Sequence, residues 1–198
     1  MTAQPLIRTS RRVRRARILV APGRPVEVIV PPGTPDAAVH RLLARHSEWI
    51  ARRRAQLDRL PVLGLDRPGT VWLDGRPLPA PAGDPERWYR AQARSRLTAA
   101  VHREGQRLDL AGWARIRIGD PRSRWGSCSA RGTLSFSWRL VVAPALVADY
   151  VVVHELCHLR EMNHSARFWD MVRTAYPRHA EARAWLRTHG PELQALEP

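Results

Sequence analysis

The sequence predicts an α+β fold: a small, mostly antiparallel sheet packed on helices, with one strongly apolar helix at its centre. Three observations predict it. Two long segments repeat apolar residues at helical spacing. Several short segments alternate or run apolar between Pro and Gly. A further helical segment after Pro144 opens with the run ALVADYVVV, which is too apolar for a surface helix.

In chain order, ARILVAPGRPVEVIVPP reads as two strands, about 16–21 and 26–30, joined by a Pro-Gly turn and ended by Pro31 and Pro32. Pro35 then opens one long helix whose apolar face is Val39, Leu42, Leu43, Trp49, Ile50 and Leu57. A Pro/Gly-rich stretch over 61–85, broken only by VWLDGRPL, is the internal boundary. The segment DPERWYRAQARSRLTAAVHREGQRL is a second amphipathic helix, with Trp88, Leu97 and Val101 on its apolar side. ARIRIGD and GTLSFSWRLVVAP alternate as strands, the latter through Leu134, Phe136 and Trp138. The apolar helix follows Pro144, and two helical segments, about 165–176 and 178–189, close the chain. Ser165 is a natural N-cap that sends Phe168 and Trp169 into the core. This organisation gives one domain over 8–190, with a hairpin-and-helix subregion over 8–80 and a chemical subregion over 84–190.

The 198 residues suffice to bury a core without staples. Two cysteines, Cys128 and Cys157, and no secretory pattern at the start point away from a disulfide framework. The longest apolar run, LVVAPALVADYVVV, is interrupted by Pro144 and Asp149 and falls short of a bilayer span, so the reading is a soluble, cytoplasmic protein with no membrane partner. The net charge of +15 comes entirely from Arg among the 33 basic residues. Association of this surface with DNA competes with a coding bias towards Arg, and the dispersal of most Arg along the chain favours the bias. The exception is RTSRRVRRAR, residues 8–17, which fits the charged edge of a sheet.

The chemistry concentrates in VVVHELCHLREMNH, residues 151–164. His154 and His158, four apart, lie on one side of a helix and can hold one metal ion. Glu155 is displaced from them, too far to be a convenient ligand and near enough to take a proton from a water activated by the ion. The pattern H-E-x-x-H thus supplies two ligands and a base, while Val152, Leu156 and Leu159 form a stripe that anchors the helix. A catalytic Zn²⁺ needs a third protein ligand. Glu161, His179 and His189 are candidates, but His164 is favoured, since Asn163 tolerates the left-handed conformation that would turn the chain back.

The segment RSRWGSCSARGTLSFSWRLVVAPALVADYVVVHELCHLREMNHSARFW resembles the signature of the YgjP-like metallopeptidases, a bacterial group related to SprT-like and other zincins. The resemblance takes in most of the chain, and its most specific elements are R-W-G-S-C and H-E-L-x-H-L-x-x-M-N-H-S. It implies a zincin-like fold around a central metal-binding helix. It also implies zinc held by His154, His158 and His164, Glu155 as catalytic base, and a peptide or protein substrate. It further implies an edge strand that pairs with extended substrate, for which 133–138 is the candidate. One departure is the segment between Leu78 and Glu86, shorter than the family pattern, which would leave the front of the site more open.

The residue types of RWGSC, 124–128, allow two roles. Arg124 could stabilise an oxyanion, with Ser127 or Cys128 lining the pocket; alternatively Trp125 fills the core and Gly126 makes a tight turn. The Cys128 thiol could also block a zinc ion, and Cys157 reads as a small buried residue. Two other functions stay compatible with the same residues: metal-dependent hydrolysis of a non-peptide substrate such as a nucleotide phosphate, and nucleic-acid binding with a structural metal.

Overall fold

A computed structural model describes residues 4–11, 13–20, 25–58, 65, 68–121 and 123–196. The chain divides into two compact units, 1–62 and 63–198. It is a mixed α/β structure of helices and three small sheets, two of which contain a parallel pair, so the single mostly antiparallel sheet expected is subdivided.

In the first unit, β1 (Leu6–Thr9) pairs parallel with β3 (Glu27–Val30), and β2 (Arg17–Leu19) pairs antiparallel on the other side. The expected hairpin strands are therefore present, while their Pro-Gly turn lies outside the described residues. An additional edge strand, β1, takes in only Arg8 and Thr9 of the Arg-rich segment, and its Arg8 pairs with Glu27 at 3.0 Å. The expected single helix is two, α1 (Asp36–Arg45) and α2 (Ser47–Asp58). His46 separates them with φ −104° and ψ 11°, although hydrogen bonds from His46 to Leu42 and from Ile50 to His46 carry the chain across. Val28, Val30 and Val39 make the small buried cluster here, flanked by Leu42 and Leu43.

The second unit opens on the hairpin β4 (Thr70–Leu73) and β5 (Arg76–Pro79). Its turn, Asp74-Gly75, has positive φ at both residues (51° and 75°), the conformation that two-residue hairpins demand and that Asp-Gly supplies. The backbone N–H groups of Asp74 and Gly75 donate to the carbonyls of Val141 and Val142 at 2.8 and 3.0 Å, fastening the turn to the segment that leads into the chemical helix. Helix α3 (Pro85–Arg107) starts at Asp84, whose carboxylate accepts from the Glu86 N–H, and buries Tyr89, Ala93, Leu97, Ala100 and Val101 along one face. The Tyr89 hydroxyl accepts from the Trp72 N–H at 2.9 Å, tying that helix to β4.

Strands β6 (Arg115–Gly119), β7 (Gly126–Cys128) and β8 (Thr133–Ser137) form a sheet in the order β6-β8-β7. A 3₁₀ turn, Trp138–Val141, leads to Pro144 and α4 (Ala145–Cys157), followed by α5 (Ala166–Ala175) and α6 (His179–Ala195). The last helix runs past the expected end at His189 and carries Pro191 within it. Helix α4 is apolar on nearly every side because α3, α5, α6 and β7 all pack on it. Of the expected anchoring stripe, Val152 and Leu156 are fully buried, while Leu159 lies past the end of α4 and is half-buried. A buried Arg139 locks the 3₁₀ turn to the end of α6: it pairs with Asp120, donates from Nη2 to the Leu196 carbonyl at 2.8 Å, and lies 4.4 Å over the Trp138 ring. No helix among the described residues is long and apolar enough to cross a membrane.

Candidate metal centre

Four residues on α4 and the turn beyond it make the site. His154 and His158 project from one side of the helix with ring centroids 5.0 Å apart, and His164 returns to within 5.1 Å of His154 and 4.7 Å of His158. One nitrogen from each of the three lies within 4.8 Å of the others. The Nε2 atoms of His154 and His164 are 3.1 Å apart, against roughly 3.3 Å for two ligands of a tetrahedral ion bound at 2.0–2.1 Å. The donor set therefore fits a borderline metal such as zinc. Glu161, His179, His189 and Cys128 are outside this group.

The rings are held for that geometry. A carbonyl can only accept, so the contact of His158 Nδ1 with the Glu161 carbonyl at 2.9 Å puts the proton on Nδ1 and leaves Nε2 its lone pair. The Phe168 ring stacks on His158 at 4.3 Å and closes on His154 and His164 at 4.9 and 4.8 Å. Phe168 reaches that place because Ser165, accepting from the Phe168 N–H at 3.2 Å, starts α5 there. Phe168 is thus core, as expected, and also the wall against which all three imidazoles rest. Burial, then the neighbouring His158 and His164, then Arg183, hold His154 down to about 3, and burial lowers His158 as well. Both are neutral at pH 7 and ready to bind a cation. The buried Nδ1 of His154 has no hydrogen-bond partner among the described residues.

The turn that brings His164 back differs from the expectation. Asn163 is not left-handed; Asp74 and Asp109 are the non-glycine residues with positive φ among those described. The chain instead leaves α4 through tight hydrogen bonds from Leu159 to Leu156 and from Arg160 to Cys157, and the His158–Glu161 contact fixes the next step.

Glu155 lies against Gly126 of β7 and is almost fully buried. A Cβ added to Gly126 would sit 2.6 Å from Glu155 Oε1 and 2.7 Å from its Cγ. Gly126 is therefore not a turn residue. It is a strand glycine whose missing side chain makes room for the carboxylate. Burial raises the Glu155 carboxyl to about 7, against the opposing pull of the Arg124 charge and of the Cys128 N–H that it accepts.

The other candidates fall around it. Arg124 is exposed and acts on Glu155 through its charge. Ser127 pairs with Ser135 and faces the side of β7 opposite to Gly126 and Cys128. Cys128 is half-buried, its thiol donates to the Ser129 carbonyl at 3.5 Å, and burial with the nearby Glu155 pushes it up to about 11. Trp125 lies against Gly190 of α6, where an added Cβ would approach its ring to 3.2 Å.

The edge strand is also different. The segment 133–138 contains β8, which is paired on both sides and has no free edge. The edge strand beside Glu155 is β7, whose Cys128 N–H is taken by the Glu155 carboxylate. Trp125 and Ser129 bond to β8 through Ser137 and Thr133, so the peptide groups of Gly126 and Cys128 turn outward.

The region 82–189, from the approach to α3 to well inside α6, matches the family described as YgjP-like, metallopeptidase domain. The chain belongs to the YgjP-like metallopeptidase family. That match spans more than half of the chain and contains all four residues of the site. Two solved structures are similar in part. The metallopeptidase zymogen of Pyrococcus abyssi, abylysin, shares 21% identity with a TM-score of 0.41 over 46% of this chain and 93% of its own. The zymogen of Methanocaldococcus jannaschii, jannalysin, shares 20% with a TM-score of 0.42 over the same shares. No curated protein matches the chain.

Proposed function

We propose that this protein is a zinc-dependent peptidase with a zincin-like site, in which His154, His158 and His164 hold the metal and Glu155 is the catalytic base. The domain would be 8–190, with its chemistry in 84–190. The observation that carries the reading is the convergence of three imidazoles beside a buried carboxylate that neighbours the first of them on α4.

Bound there, zinc would polarise a peptide carbonyl and make a nearby water acidic enough to attack near neutral pH. Glu155 accepts the proton of that water and delivers it to the leaving amine. A carboxyl raised to about 7 is a base matched to that task, and the Cys128 N–H holds it in one orientation. The outward N–H and C=O of Gly126 and the outward C=O of Cys128 receive an extended substrate along β7, next to the base, while the Cys128 N–H stays with Glu155. Arg124, beside Glu155, is placed to meet negative charge that develops there.

Purified protein should carry about one zinc per chain and cleave unfolded protein or peptide mixtures. Chelation should abolish the cleavage and added Zn²⁺ should restore it. Cleavage that persists after complete removal of metal would contradict the reading.

A further inference from the structure

Beside His154 and Glu155 opens a cleft of about 430 Å³, walled by Trp125, Tyr150 and Leu186 and bordered by Arg183 and Arg187 of α6. We propose that Arg183 and Arg187 form a carboxylate subsite of the peptidase, so that its preferred substrates carry an acidic side chain or a free C-terminal carboxylate next to the bond that is cut. This rests on the peptidase reading above.

The two arginines are four residues apart on one helix and therefore project to the same side, into the same cleft. Their surroundings differ from those of seven arginines of this unit that are paired within the protein. Arg90, Arg96, Arg103, Arg107, Arg139, Arg173 and Arg178 each form an ion pair with an acid of the protein. Arg183 and Arg187 form none among the described residues, and Glu181, the acid nearest in sequence, is taken by Arg178 at 2.8 Å. Arg183 is also restrained: its guanidinium lies 4.7 Å over the Trp169 ring, and Trp169 packs at 5.8 Å from both His154 and His164. A guanidinium stacked on an aromatic face keeps its N–H edge free for a planar carboxylate. The cleft thus has apolar walls, a reactive floor and two uncompensated cations at its border. That combination selects a ligand with an apolar backbone stretch and a terminal negative charge.

The test has two arms on the full-length chain. In the first, zinc-loaded enzyme cleaves peptides that differ only by Glu, Gln or Lys beside the scissile bond, each with a free or an amidated C-terminus. The Glu peptides should be cut with kcat/KM at least about tenfold above the Gln peptides, the yield of one charge-assisted contact. If the free C-terminus alone gives the advantage, the carboxylate bound is the terminal one. Arg187→Glu should reverse the order towards Lys, whereas Arg178→Gln, on the same helix outside the cleft, should keep it. Cleavage of all peptides without regard to charge would overturn the subsite and leave the peptidase intact. In the second arm, the zinc-loaded Glu155→Gln protein binds the same peptides in a calorimeter, which separates binding from chemistry. Preference for the carboxylate peptides, lost in Glu155→Gln with Arg183→Gln and Arg187→Gln added, supports the subsite even if no peptide is cleaved. Equal binding of Glu and Gln peptides overturns it.

Discussion

The first unit closes over three buried valines, Val28, Val30 and Val39, whereas the second closes over a continuous core that runs from Leu65 and Val71 to Leu196 and includes most of α4. The candidate site lies wholly in the second. Three imidazoles and a carboxylate can converge only if their rotamers are fixed, and fixed rotamers come from dense packing behind them. Helix α4 provides that packing on every side but one. The first unit has a sheet and helices of ordinary kind, yet no group of three side chains placed to hold a metal ion among its described residues.

The comparison can be broken most directly by removing core atoms. Leu156→Ala, between the two histidines and fully buried, should lower stability by about 2–5 kcal/mol and weaken metal retention. Val28→Ala should cost about 2 kcal/mol in the first unit and leave the zinc content unchanged. Thermal melts with metal analysis on both variants decide this, and loss of zinc from Val28→Ala would mean that the site depends on both units.

A second expectation concerns the ligands themselves. His164→Ala should weaken zinc binding by roughly 3 kcal/mol or more, a hundredfold at least, since one of three protein ligands is lost. Glu161→Ala should retain zinc, because Glu161 contributes its backbone carbonyl to His158 and that carbonyl survives the substitution. Competition titration with a chromophoric chelator measures both.

The space reserved by Gly126 sharpens the comparison inside the second unit. Gly126→Ala places a methyl where Glu155 now lies and should cost about a hundredfold in kcat with zinc still bound. Native-like activity in that variant would mean that the carboxylate has room to spare.

The smallest effect is on pH dependence. A base must be deprotonated to act, so kcat/KM should rise with pH along an acid limb, and a bound cation should hold that limb below the value of about 7 that burial, opposed by Arg124 and the Cys128 N–H, gives without it. Arg124 lowers the Glu155 carboxyl, so Arg124→Gln should move the limb upward. A limb that moved downward would remove Arg124 from the environment of Glu155.

Much of the site was legible in the sequence because its information is local. The four-residue interval of His154 and His158 survives any tertiary context in which that segment is helical, and Ser165 marks the start of α5 by its own side chain. What was not legible depends on partners far along the chain. Strand 133–137 alternates well, but whether it is an edge is decided by where 115–119 and 126–128 pair. Gly126 looks like any turn glycine until α4 brings Glu155 against it. Asn163 could have ended the helix in the left-handed region, yet the His158 contact with Glu161 stabilises a different exit. A buried Arg139 could not be told from the other arginines, since its acceptors are Asp120 and the carbonyl of Leu196, 57 residues on. The short segment between Leu78 and Glu86 holds the end of β5 and the cap of α3.

The central claim, that Glu155 is the base of a metal-dependent peptidase, is tested most directly by kcat of Glu155→Gln measured together with its zinc content. Gln keeps the size and helix propensity of Glu and lacks the basic oxygen, so the fold and the zinc should both remain. The account predicts a fall in kcat of at least about a hundredfold with one zinc per chain still bound. Turnover near the native rate with zinc in place would contradict it, even if the three histidines hold the metal.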